Sequence, residues 1–130
     1  MIERKSDAAA LRFSRAGRGL FTIDLEGNRD ASGADIKATI NSAFAWMFIH
    51  TDALVLRGRI DPGNKACLAL VPHVPGYQLE RGKNAHVFTL TLARWAKAYG
   101  IEKALSEMRA AGQSEKADKL EAAAKKAGVL

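Results

Sequence analysis

The chain has 130 residues, 48% of them hydrophobic and 26% charged, with a net charge of +6 at neutral pH. That length suits one domain, and the balance suits a folded globular chain rather than a disordered one. One cysteine, Cys67, excludes an internal disulfide framework and a cysteine-rich zinc site, and it fits a reducing compartment.

The longest apolar run, Ala43–Ile49, is far too short to span a bilayer, so no membrane partner is expected. The N-terminus shows no long apolar stretch of the signal-peptide kind. A sequence pI of about 9.7 favours polyanionic partners such as nucleic acid or coenzyme phosphates. The positive charge is dispersed, however. Its densest segment, Arg4, Lys5, Arg12, Arg15 and Arg18, is diluted by Glu3 and Asp7, and no aromatic–basic interleaving supports stacking on bases.

In chain order, residues 1–10 are polar and read as a loosely held arm or short helix. Leu11–Arg15 and Gly19–Leu25 alternate apolar and polar residues at the strand period. Between them Ala16–Gly19 supplies turn residues, predicting an antiparallel hairpin. Phe21, Ile23 and Leu25 share one face. A loop follows from Gly27 to Gly33, and Ser32, with Asp35 three residues on, predicts a capped helix start. Ile36, Ile40, Ala43, Phe44, Met47 and Phe48 repeat at the helical period, with an end expected near His50.

Ala53–Ile60 reads as a strand with Leu54 and Leu56 on one face, stopped by Asp61-Pro-Gly63. Asn64 suits the cap of a short helix, Lys65–Val71, curtailed by Pro72 and Pro75. Tyr77–Glu80 and Ala85–Leu92 read as a hairpin of two strands. From Ala93 the pattern is helical. Gly100 separates a short piece from Ile101–Ala111, Gly112 ends that helix, and Ser114 is the expected cap of an Ala/Lys/Glu-rich last helix. The fold class expected is α/β, a mixed sheet flanked by helices.

The segment Ser32–Trp95 contains an amphipathic helix, a strand, the Asn64 break with its short helix, and the Gly76-Tyr77 turn. That order resembles the C-terminal half of the GNAT family of N-acetyltransferases. The resemblance implies a truncated GNAT-like sheet with a C-terminal helical pair. It implies a reduced α/β core over residues 1–95 and a helical extension over 96–130, packed on the core or a partner. In the family, a central strand ends in a Q/R-x-x-G-x-G/A loop whose N–H groups and following helix hold the pyrophosphate of acetyl-CoA. The strand matching it here is Gly19–Leu25 and the loop is Arg29-Asp30-Ala31-Ser32-Gly33-Ala34. Arg29, Ser32, Gly33, Ala34 and Asn64 are thereby the candidate cofactor-binding residues, and Asp24 and Glu26 the candidate general bases.

The departures are specific. Ser32 stands where glycine is expected, and Asp30 brings negative charge beside the loop. Val71 occupies the position from which a tyrosine protonates the leaving thiolate in many family enzymes, and Tyr77 reads as a packing residue. Only Met1–Asn28 precede the loop, where a complete domain has a strand, two helices and two more strands. The helices after Trp95 are expected to cover the sheet face that those helices would have covered. His50, His73 and His86 form no metal or catalytic spacing, and Cys67 reads as a buried inert thiol.

Ala45–Asp52, followed by a strand and Pro62-Gly63-Asn64, resembles a subset of GNAT-like proteins of tailed bacteriophages, some of which serve in virion assembly. The departures favour a non-enzymatic structural or interaction protein on a degenerate GNAT-like scaffold. It would be a phage virion or assembly component, cytoplasmic or virion-associated, working as a homo-oligomer or within a larger assembly and needing no cofactor. The alternative is an acetyl-CoA-dependent N-acetyltransferase. A second alternative is a basic nucleic-acid-associated protein.

Overall fold

A computed structural model describes residues 1–130. Six strands form one sheet in the order β1-β2-β3-β4-β6-β5. These are β1 (Ile2–Lys5), β2 (Ala9–Gly17), β3 (Leu20–Gly27), β4 (Val55–Ile60), β5 (Gln78–Glu80) and β6 (His86–Thr91). The five helices are α1 (Gly33–His50), α2 (Lys65–Leu70), α3 (Leu92–Tyr99), α4 (Ile101–Ala110) and α5 (Ser114–Lys126), with one 3-10 turn at Val71–His73 after α2. The mixed α/β class is as the alternation of periods predicts. No helix is long and apolar enough to cross a membrane.

The first ten residues depart from expectation. They hold strand β1, paired antiparallel with β2, Ile2 lying opposite Phe13. The segment looks too polar for a strand because an arginine supplies part of its cover. The Arg4 guanidinium lies 4.3 Å from the centroid of the Trp46 ring, so its stem and charge both rest on an aromatic face. Two smaller corrections concern element starts. Strand β4 begins at Val55, which leaves Leu54 42% exposed and off the core face. Ser114 is the first residue of α5 rather than its cap, and Gln113, at the cap position, makes no side-chain cap hydrogen bond.

The two caps that position the centre of the fold are made as expected. Ser32 Oγ accepts from the Asp35 N–H at 3.1 Å, and Asn64 Oδ1 accepts from the Cys67 N–H at 3.1 Å. Each is worth about 1 kcal/mol. From Ser32, α1 lays Ile40, Ala43, Phe44, Met47 and Phe48 on the sheet. Phe44 meets Phe13 edge-on at 6.1 Å and stacks on Phe88 at 5.8 Å, which ties β2 to β6. Phe48 continues the row to Trp95, and Trp95 to Tyr99.

Residues opposite one another in the sheet share a face. The row Phe21, Leu56 and Leu90 is buried under α1. The neighbouring row, Ser14, Thr22, Arg57, Thr89 and Gln78, is polar and exposed or half-exposed. The C-terminal helices do not lie across that second face. α4 packs on α1, and α5 anchors at the C-terminal end of α1 through Lys116, whose Nζ donates to the carbonyls of Phe48, Thr51 and Ala53. One cluster of 24 buried residues runs from Leu11 through α1 to Met108, Ala117 and Leu120.

Candidate functional site: a slot between parallel strands

The only parallel pair in the sheet is β3 with β4, joined through α1. These strands pair over three residues, from Leu20 opposite Val55 to Thr22 opposite Arg57. Beyond that point they separate. Their far edges stay paired, β3 to β2 and β4 to β6, so the inner backbone edges of Ile23–Leu25 and Gly58–Ile60 face a gap rather than a ladder. Unladdered strand backbone needs hydrogen-bond partners, which water or a ligand can supply.

The gap opens into a cavity of about 170 Å³. Ile23, Leu25, Ile40, Phe44, Val71 and Phe88 are among the apolar residues that line it, while Asp24, Arg59, Asp61 and Asn64 are polar. It lies at the C-terminal ends of the parallel strands, the end from which α1 starts, where open α/β sheets bind ligands. Its volume is below the roughly 300 Å³ of ordinary ligand pockets, so it suits one slender arm of a ligand. Gly58 keeps the slot open. A Cβ there would stand 3.7 Å from the Ile23 Cβ, an ordinary contact, and anything longer would enter the slot.

The sequence-predicted residues divide into those that line the slot and those that do not. Asp24 and Asn64 line the cavity, whereas Glu26, Arg29, Ser32, Gly33 and Ala34 do not. Asp24 is 77% exposed and stands 3.6 Å from Arg12 Nη1. Glu26 holds the same guanidinium at 3.2 Å and Glu3 holds it at 3.0 Å. Arg12 is therefore the hub of three carboxylates, and the hydrogen bonds it donates to Glu26 raise its already high pKa.

At the start of α1, Ser32 takes two of the first N–H groups. Its Oγ accepts from Asp35 and its carbonyl from Ile36, leaving those of Gly33 and Ala34. Asp30 lines a separate depression with Asp7 and Asp35, not the cavity.

Cys67 is less buried than expected, though its chemistry is the inert one expected. It is half-buried and lines the slot, where burial pushes its thiol pKa up and keeps it neutral. Val71 lines the slot too and offers no proton. Tyr77 packs against the core instead, as expected. Sequence reasoning missed Gly58 and Arg59. Their only signal was a glycine between two arginines at the end of a strand, and its meaning depends on β3 leaving the ladder. No group of His, Cys, Asp and Glu side chains is placed to hold a metal ion.

No protein-family model matches the chain, and no curated protein sequence matches it. Solved structures do. Campylobacter jejuni N-acetyltransferase PseH, solved alone and with acetyl coenzyme A, superposes with a TM-score of 0.56 at 13% identity, covering 65% of this chain and 60% of PseH. Mycobacterium smegmatis RimJ, in complex with CoA-disulfide, has a TM-score of 0.58 at 16% identity over 82% of this chain and 55% of its own. Spermidine N-acetyltransferase SpeG from Vibrio cholerae has a TM-score of 0.56 at 11% identity over 73% and 62%. The chain thus spans rather more than half the length of each. At such identities the likeness is one of architecture, and the fold is that of the GNAT acetyltransferases.

Proposed function

We propose that the protein binds an acyl-coenzyme A in the slot between β3 and β4 and passes the acyl group to an amine. The observation that carries this is the early separation of the one parallel strand pair. A ligand entering there meets two unladdered strand edges and apolar walls. The pantetheine arm of coenzyme A is slender and carries two amides, which match both. Outside the cavity, at the approach to α1, Arg29 and the free N–H groups of Gly33 and Ala34 offer positive charge and donors for the pyrophosphate. The structural likeness to PseH and RimJ, solved with acetyl coenzyme A and CoA-disulfide, supports the same ligand class. This alternative stands above the scaffold reading, because neither the fold nor the comparisons offer support for a virion role.

In the reaction, the amine nitrogen attacks the thioester carbon. The C–N bond forms, the C–S bond breaks, and coenzyme A leaves as its thiolate. Asp24, at the mouth of the slot, accepts the proton the nitrogen loses. Solvent protonates the thiolate, since Val71 cannot.

Calorimetry with acetyl-CoA tests the reading. Micromolar binding, weakened at least tenfold in Arg29→Ala, is expected. No heat at millimolar acetyl-CoA overturns it. Given binding, Asp24→Asn is expected to lower kcat by about 10²-fold or more while leaving acetyl-CoA affinity intact.

A further inference from the structure

The mouth of the slot is electrically split, and the split points to the acyl acceptor. On the β3 side Asp24 lines the cavity, and Glu26, outside it, shares the Arg12 guanidinium with Asp24, each within 4 Å. With Glu3 and its partner Lys5 included, two cations face three carboxylates, so that side remains net negative. On the β4 side Arg59 lines the cavity, and Arg57, opposite Thr22 where the strands still pair, stands two residues before it. They alternate on the strand, so they share the open face and their Cα atoms are about 7 Å apart. Both are exposed, and neither guanidinium has an ion-pair or hydrogen-bond partner.

The other charges facing them are few. Asp61 lines the cavity too and keeps its charge while accepting the Gly63 N–H at 2.7 Å, so the β4 side carries two cations against one carboxylate. Glu80 lies in the Arg59–Val87–Glu80 row, two strands away. The two arginines are thus cations without an ion-pair partner, Arg59 at the cavity and Arg57 next to it on the same face.

We infer that the acyl acceptor is a primary amine that also carries an anionic group, a carboxylate or a phosphate, bound by Arg57 and Arg59 while its nitrogen faces Asp24. This rests on the acyl-transfer reading above and adds the acceptor class to it. The arrangement favours a zwitterion because each end meets the opposite charge across one gap. Arginine suits the anionic end, since its planar donor fork matches carboxylate and phosphate oxygens. A polyamine would set cationic groups against both arginines.

The test uses the full chain with saturating acetyl-CoA and follows release of the coenzyme A thiol. The acceptors are alanine, aminoethyl phosphate, ethylamine and spermidine. The zwitterionic acceptors are expected to exceed ethylamine and spermidine at least tenfold in kcat/KM. Whichever of alanine and aminoethyl phosphate is faster assigns the anion as carboxylate or phosphate. In a folded R57A/R59A variant the ratio of zwitterion to ethylamine is expected to fall towards one, mainly through KM. In R57E/R59E it is expected to invert towards spermidine. Equal rates for all acceptors, a spermidine preference in the unmodified chain, or an unchanged ratio in R57A/R59A overturns the acceptor assignment and leaves acetyl-CoA binding standing. Absence of acetyl-CoA binding, or binding without turnover of any acceptor, overturns the acyl-transfer reading and the acceptor class with it.

Discussion

Arg94 Nε donates to the Gly76 carbonyl oxygen at 2.8 Å, locking the first turn of α3 onto the turn that enters β5. The approach is so close that a Cβ on Gly76 would stand 2.7 Å from the Arg94 carbonyl oxygen, and Gly76 has a φ of 86°. Glycine is required on both counts. The turn holds Val74 and Tyr77 against the core, and Val74 is also a wall of the slot.

Gly76→Ala is therefore expected to destabilise the fold by at least about 1–2 kcal/mol from the left-handed backbone alone, with the clash adding to it. Urea unfolding measures this. A variant as stable as the parent would mean that the turn relaxes freely and does not tie α3 to β5.

Lys116 is the second anchor. Its ammonium donates to three carbonyls at the end of α1, those of Thr51 and Ala53 at 2.7 and 3.2 Å and that of Phe48. Lys116→Met keeps the stem and removes the donors, and a loss of about 1–3 kcal/mol is expected. Burial pushes the Lys116 pKa down to about 8, with Asp52 opposing the shift. Between about pH 8 and the ordinary lysine value the unfolded chain then binds more protons than the folded one. The contribution of Lys116 to stability should rise with pH across that window and be flat below it. Unfolding of parent and variant at pH 7 and pH 10 checks the sign. A gap between them that narrows at pH 10 would contradict it.

Gly58→Val tests the slot without disturbing the core. The backbone there is ordinary strand and the new Cβ has room, while valine suits a strand. Acetyl-CoA affinity is expected to fall at least tenfold, with stability unchanged within about 1 kcal/mol. Unaltered binding would move the ligand away from the gap between β3 and β4.

Met108 lies in α4, beyond the strands, and is fully buried. Met108→Ala is expected to cost about 2–5 kcal/mol. Sheet and tail should unfold together, because both contribute to one buried cluster. Two separate transitions by fluorescence and circular dichroism would divide the chain into independent units.

Legibility in the sequence followed the range of the interaction. The caps at Ser32 and Asn64, the apolar stripe of α1 and the hairpin at Ala16–Gly19 depend on near neighbours, and all were readable from spacing. Strand β1 was not, because Arg4 is made tolerable by Trp46, forty-two residues away in sequence. The start of α5 lies one residue before the expectation because serine's preference for the cap is a tendency, and here Gln113 takes that place without a side-chain cap bond.

The candidate site shows the same division. By itself the sequence determined which residues could serve: Asp24 on a strand, Arg29 before a helix start, Asn64 as a cap, and a valine where a proton donor is usual. It also determined that the strands and helices alternate as a mixed sheet requires. Tertiary structure alone decided that β3 and β4 pair for three residues and then part. That parting makes the slot, brings Arg59 and Cys67 to it, and leaves Glu26 and Arg29 outside it. The reason is physical: hydrogen-bond register between distant strands depends on how α1 packs beneath both, and no local pattern in either strand records it.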